Sequence, residues 1–119
     1  MINIYPDDAG ETHFRELEVE MHPYLHGVVR SDSLGVPTAL HVVESPADYD
    51  HDFVNAPRRQ FSIPLSGMLE VTVSDGETRI VRPGDILLLE DTTGKGHRTR
   101  AVDNQPRRGL FIPLDAGTH

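Results

Sequence analysis

The sequence contains no cysteine and no tryptophan. Without thiols there is no disulfide, no cysteine nucleophile and no thiolate ligand, so a metal would have to be held by nitrogen and oxygen donors. No apolar run approaches the roughly 20 residues of a membrane span. The first residues lack the basic-then-apolar pattern of a secretory signal, so a cytoplasmic protein with no membrane partner is expected. Positive charge is scarce too. Lys and Arg number 11 against 19 Asp and Glu, a formal charge of 11 − 19 = −8, which argues against a general affinity for nucleic acid phosphates. No G-x-S-x-G elbow is present, and "DTTGKGH" (91–97) lacks the G-x-x-x-x-G-K-[ST] spacing of a nucleotide loop. It reads as a flexible turn. Repeats, low-complexity tracts and obvious linkers are absent as well.

What remains is one domain's worth of ordinary globular sequence. The 119 residues suffice to bury about 65–70 % of the unfolded surface. Charge is uneven: residues 1–57 hold 11 acids and 2 bases, residues 58–119 hold 8 acids and 9 bases. A solvated acidic face accounts for this, with attraction of an anionic small molecule by Arg58, Arg59, Arg98 and Arg100 as the alternative. "ETHFRELEVEM" (11–21) suits either a strand, through Leu17, Val19 and Met21, or a helix, through Phe14, Leu17 and Met21. Residues 22–37 are rich in turn formers and read as irregular.

From residue 38 the signals are β. "TALHVVES" (38–45) is short and β-branched, and Pro46 ends it. "RQFSIPLSG" (59–67) alternates, with Phe61, Ile63 and Leu65 on one side and Gln60, Ser62 and Pro64 on the other. "MLEVTVSDGETRIV" (68–81) places Leu69, Val71 and Val73 on one face and offers Asp75–Gly76 for a hairpin turn. "RPGD" (82–85) is a further turn, and "ILLLE", "HRTRAV" and "GLFIPL" complete the series. Strands separated by turns, with no amphipathic helices between them, predict an all-β sandwich or barrel.

The ordered combination of strand, Gly67, hairpin, Pro83-Gly84-Asp85, apolar strand and His97 resembles the cupins over residues 38–114. The resemblance implies a double-stranded β-helix, the jelly-roll barrel, with residues 1–37 as an N-terminal extension packing on it. In metal-binding cupins the first motif carries two histidines one residue apart, then a glutamate seven positions before the glycine. Counting back from Gly67 puts Gln60 in the glutamate slot. The histidine slots fall on Phe53 and Asn55, or on Val54 and Ala56. His97 matches the second-motif histidine, although the loop before it is two residues longer than usual. One imidazole and neutral amides make a poor divalent-ion site, so no cofactor is expected. The alternative is one divalent transition metal on His97 and Gln60, completed by His51 or His41.

The other histidines give no ligand set. Pro23 and Gly27 break the helix that a His22–His26 pair would need, and His13 and His119 read as surface residues. Asn55, Gln60, Ser62 and His97 are the expected pocket lining, with Arg59 or Lys95 near its mouth and Glu90 close enough to His97 to orient or protonate a ligand. Three functional classes follow. The first is a metal-independent pocket for a small polar or anionic molecule, with His97 as acid or base, a chemistry the resemblance allows because some sugar-nucleotide epimerases and dehydratases in the family use side-chain catalysis. The second is a metal-dependent dioxygenase or isomerase. The third is a non-catalytic ligand-binding module. If Gln60, Ser62 and Pro64 face the cavity, then Phe61, Ile63 and Leu65 need cover from the N-terminal segment or from a second copy, and a two-fold homodimer is expected.

Overall fold

A computed structural model describes residues 1–115; His119 lies outside the described residues. Among these the chain is all-β, with twelve strands and no helix. One sheet holds six strands in the spatial order β2 (Thr12–Glu16), β1 (Ile2–Pro6), β10 (Leu87–Leu89), β7 (Gln60–Ser66), β12 (Arg107–Pro113) and β5 (His41–Ser45). A second holds β6 (Asp50–Val54), β11 (His97–Ala101), β8 (Leu69–Val73) and β9 (Thr78–Val81). A separate hairpin, β3 (Met21–Pro23) with β4 (Val29–Ser31), pairs with neither. Neighbouring strands are antiparallel except β1 and β10, which run parallel.

The alternation seen in the sequence sets which face each strand buries. Leu69, Val71 and Val73 of β8 turn inward, meet Ile4, Leu87 and Leu89 of the six-stranded sheet, and form the core between the sheets. Each such side chain contributes roughly 1.5–3 kcal/mol on full burial. Gly76 (φ +99°) makes the β8–β9 turn, and Gly84 (φ +93°) makes the turn before β10. In the latter, Asp85 Oδ2 accepts from the Arg82 backbone N–H at 2.8 Å.

Three expectations need correction. The sheets face each other as in a β-sandwich, but they do not join into one closed barrel. Local strand and turn signals do not say which edges hydrogen-bond. Residues 1–37 are not a mere extension: β1 lies between β2 and β10 within the main sheet, and Ile4 is fully buried. Residues 22–37 are not wholly irregular, since β3 and β4 form a hairpin there.

The outer face of the six-stranded sheet carries the cover that Phe61 and Ile63 require. They pack with Leu88 and Leu114 and with Met1 and Leu17 from the N-terminal segment. Leu65 falls where the β7–β12 register shifts, and it remains half-exposed.

A polar clip holds the two sheets at one end. Thr12 Oγ1 is buried and donates to the Gly96 carbonyl at 2.6 Å, while its backbone N–H donates to Ser74 Oγ at 2.7 Å. Beside it, the His13 ring lies between Asp7 and Asp75, at 2.7 Å from each carboxylate. The hydrogen bond to Asp7 first, and that to Asp75 second, raise His13 above its ordinary value. The same contact holds Asp7 below the usual carboxylate range, and Asp75 is lowered chiefly by the Glu77 backbone N–H and then by His13.

The raised imidazole stabilises the fold fully below its unfolded value of 6.5 and loses that effect as pH climbs through the higher folded value. The lowered carboxylates act oppositely, losing their effect only as pH falls through values below 3.8. The stability difference between wild type and His13→Gln should therefore be largest between about pH 5 and 6 and shrink as pH rises past neutrality. Urea unfolding midpoints read this directly; a difference that stays constant to pH 9 would show that the contact is not ionic.

Candidate functional site

Between the sheets the core opens into a cavity of about 190 Å³. Its apolar walls are Ile4, Leu69, Val71, Leu87 and Leu89. Its polar groups come from four strands and the segments flanking β6: Gln60 and Ser62 on β7, His97 and Thr99 on β11, His51 on β6, Arg107 on β12, Tyr49 before β6 and Asn55 after it. Alternation along β7 aims Gln60 and Ser62 inward while Phe61 packs on the opposite face.

His97 is held from behind. Its Nδ1 lies 2.5 Å from Asp91 Oδ2, and Asp91 is completely buried. Because a carboxylate only accepts, Nδ1 carries the hydrogen, and in the neutral ring Nε2 keeps its lone pair. Nε2 has no protein partner among the described residues. Asp91 Oδ1 also lacks a partner. Leu87, Leu89 and Asp91 share a parity, so the β10 alternation that buries the two leucines also sends Asp91 inward and Glu90 outward.

The loop that delivers Asp91 and His97 is pinned, contrary to the flexible turn expected from its sequence. Asn55 Nδ2 donates to the carbonyls of Asp91 at 3.1 Å and Gly94 at 3.0 Å. Gly96 has φ +76°, and a Cβ there would lie 2.3 Å from the Val54 carbonyl oxygen, so β11 begins closer to β6 than any side chain permits. The Lys95 backbone N–H donates to the Gly10 carbonyl at 2.8 Å.

Gln60, Ser62, Asn55 and His97 thus line one cavity. Gln60 is buried, and among the described residues its amide has no hydrogen-bond partner. The charged residues expected near the mouth are placed elsewhere. Arg59 Nε donates to Glu90 Oε2 at 2.9 Å, and Glu90 Oε1 also accepts from Asn3, on the face turned away from the cavity. Lys95 Nζ pairs with Glu11 at 2.7 Å, which raises it above its ordinary value. Arg98 and Arg100 point outward from β11 and pair with Asp50 and Glu70.

His51 reaches the cavity for a reason that alternation does not supply. The β6–β11 register shifts between the pairs His97–Val54 and Thr99–His51, so β6 carries one extra residue there. The bulge brings His51 and Val54 to the same side and leaves Phe53 outside the cavity lining. His51 sits at the exposed mouth, its Nδ1 2.8 Å from the Asp52 carbonyl and its ring stacked with Tyr49 at 6.3 Å. His41, on the edge strand β5, lines a neighbouring groove that shares Gln60 and Phe111 with the cavity.

This donor set does not fit a resident divalent ion. The cavity offers two imidazoles, each with only Nε2 left to bind, and the neutral amides of Gln60 and Asn55. It also contains the guanidinium of Arg107, whose positive charge opposes a cation. Among the described residues, no three His, Cys, Asp or Glu side chains converge as ligands.

Two site residues had escaped the sequence reading. Asp91 was legible from the parity of Leu87 and Leu89. Arg107 lies two residues before the stretch "GLFIPL" that marks β12, and nothing local distinguishes it from Arg108.

Fold and site together define an all-β protein of two facing sheets with a small, partly polar cavity between them. Neither a family model nor a curated protein matches the chain. Among solved structures, protein NMB1881 from Neisseria meningitidis is similar, with a TM-score of 0.51 and 16 % identity over 85 % of this chain and 86 % of that one. The likeness is one of fold.

The Asp91–His97 geometry makes a spectroscopic prediction. In nitrogen-15 NMR the neutral His97 ring should carry its hydrogen on Nδ1. Asp91→Asn should lose that fixed tautomer, because an amide donates as well as accepts. A wild-type ring with its hydrogen on Nε2 would contradict the assignment.

Proposed function

We propose that this chain is a cupin-type jelly-roll protein whose inter-sheet cavity takes up a small polar or anionic molecule without a resident metal and acts on it by acid–base chemistry. The observation that carries this reading is the Asp91–His97 pair. A fully buried carboxylate fixes the ring and leaves Nε2 free at the wall of a cavity large enough for a ligand. In that arrangement Nε2 accepts a proton from a bound molecule, the resulting imidazolium is stabilised by Asp91, and the proton is returned from the same atom. Gln60 contributes an acceptor and two donors that no described residue pairs, presented to the cavity it lines. A ligand or water pairs with them.

We further propose that the chain works as a two-fold homodimer. A two-stranded hairpin is marginal alone in water, yet β3–β4 joins neither main sheet and leaves Met21, Tyr24, Leu25, Val28 and Val29 about half exposed. Leu40 and Val42, at the edge strand β5, are more exposed still. A second copy of this chain is the proposed cover for that apolar stretch.

Thermal-shift screening of small carboxylates, phosphates and sugar nucleotides should yield hits that weaken in both Gln60→Leu and His97→Ala. If both variants fold and bind every hit as tightly as wild type, these residues are only wall. Elemental analysis of the same preparations should find well under one transition metal per chain; a stoichiometric ion that survives dialysis would favour a metal-dependent oxygenase or isomerase, and simple binding without turnover of any hit would favour a carrier. Light scattering should give twice the 13.3 kDa chain mass, and a monomer persisting at high concentration would remove the dimer.

A further inference from the structure

Arg107 is 8 % exposed, and its charge has no counterpart. One terminal nitrogen reaches Ser62 Oγ at 3.4 Å, a long contact, while Nε is buried without any acceptor. No carboxylate among the described residues pairs with it, whereas Arg59, Arg79, Arg98 and Arg100 each have one. The Phe111 ring lies 6.0 Å from Cζ, at the outer limit of a cation–π contact. An unpaired charge removed from water is costly, and arginine does not relieve it by releasing a proton near neutral pH. Burial pushes the guanidinium below its ordinary value, and the Tyr49 side chain only partly opposes that shift.

The backbone makes room for this side chain. Gly67 (φ +75°) ends β7 where a Cβ would lie 3.2 Å from Arg107 Cα and Cβ. At Gly109 a Cβ would lie 3.3 Å from a terminal guanidinium nitrogen and 3.0 Å from the Ile63 carbonyl. Two positions without side chains therefore border Arg107, one at its backbone and one at its tip.

The cavity sets the rest of the ligand. Its volume of about 190 Å³ scales to about eight non-hydrogen atoms, since ~150 Å³ holds benzene. Its far wall of Leu69, Val71, Leu87 and Leu89 asks for an apolar body. A single planar guanidinium, with no second cation in the cavity lining, matches one planar carboxylate better than a phosphate dianion.

We propose that Arg107 anchors a compact monocarboxylic acid with an apolar body, its carboxylate accepting from the terminal nitrogens of Arg107 and its body lying against the leucine and valine wall. This rests on the reading of the cavity as a small-molecule site and specifies the class of molecule it takes. The carboxylate is the recognition group, which leaves the remainder of the ligand to meet His97.

The test uses matched probes on the full chain: benzoate and hexanoate against benzamide and hexanamide, with phenyl phosphate as the dianion. Binding is followed by calorimetry and by methyl NMR of Leu69, Val71, Leu87 and Leu89. The acids should bind on the order of ten- to a hundredfold more tightly than their amides, and Arg107→Met should reduce the acids to the level of the amides. Amides or phenyl phosphate that match or exceed the acids would overturn the proposal, as would undiminished acid binding by Arg107→Met. Should that variant not fold, the wild-type comparison of acid with amide decides alone. If neutral probes shift the cavity methyls and acids do not, the carboxylate assignment fails while the small-molecule site stands. If no probe shifts them, both fail.

Discussion

Two ionisable groups, Asp91 and Arg107, are buried beside one cavity, and they do not pair with each other. Asp91 is fully enclosed and leans on His97, while Arg107 has only a long contact to Ser62. Burying charge is the costliest thing a small sandwich can do, and much of the local structure follows from accommodating it. Gly96 lets β11 start against β6, Asn55 ties the intervening loop by two carbonyls, and the loop in turn fixes Asp91 behind His97. On the opposite sheet Gly67 and Gly109 leave space around Arg107. The apolar core supplies the stability against which this arrangement is held, with Ile4, Val73 and Val81 essentially inaccessible to solvent.

The surface behaves differently from the interior. The arginines expected to draw in an anion are engaged in exposed pairs, Arg59 with Glu90, Arg98 with Asp50 and Arg100 with Glu70. Such pairs contribute little individually, and the net charge of −8 repels rather than attracts anions at long range. Under the proposed reading, selection of an anionic ligand would rest on one guanidinium inside the cavity, where the low dielectric strengthens its attraction.

Much of this was legible in the sequence, and the limits were physical. Alternation placed Gln60 and Ser62 on one face of β7 and Leu69, Val71 and Val73 on one face of β8. The turns at Gly76 and Gly84 followed from residues that accept φ > 0. His97, singled out in the sequence, lies in the cavity lining. What failed were the places where a period of two breaks or where distant strands meet. The bulge in β6 brought His51 inward with Val54 and left Phe53 out. The parallel pairing of β1 with β10 built the first residues into the main sheet, and no local pattern announces a partner some 85 positions away. Arg107 reads like its neighbour Arg108 until β12 is laid beside β7 and one of the two is turned inward.

On the proposed reading Arg107 is kept for a ligand and not for the fold. The most direct measurement is the unfolding free energy of ligand-free Arg107→Met beside wild type, from urea titrations. Removing a buried guanidinium that lacks an anion, and filling its place with an apolar chain of similar length, should leave the protein as stable or more stable. A loss on the order of 3 kcal/mol or more, the size expected when a buried ionic network is broken, would show that Arg107 holds the sandwich together and would contradict the account.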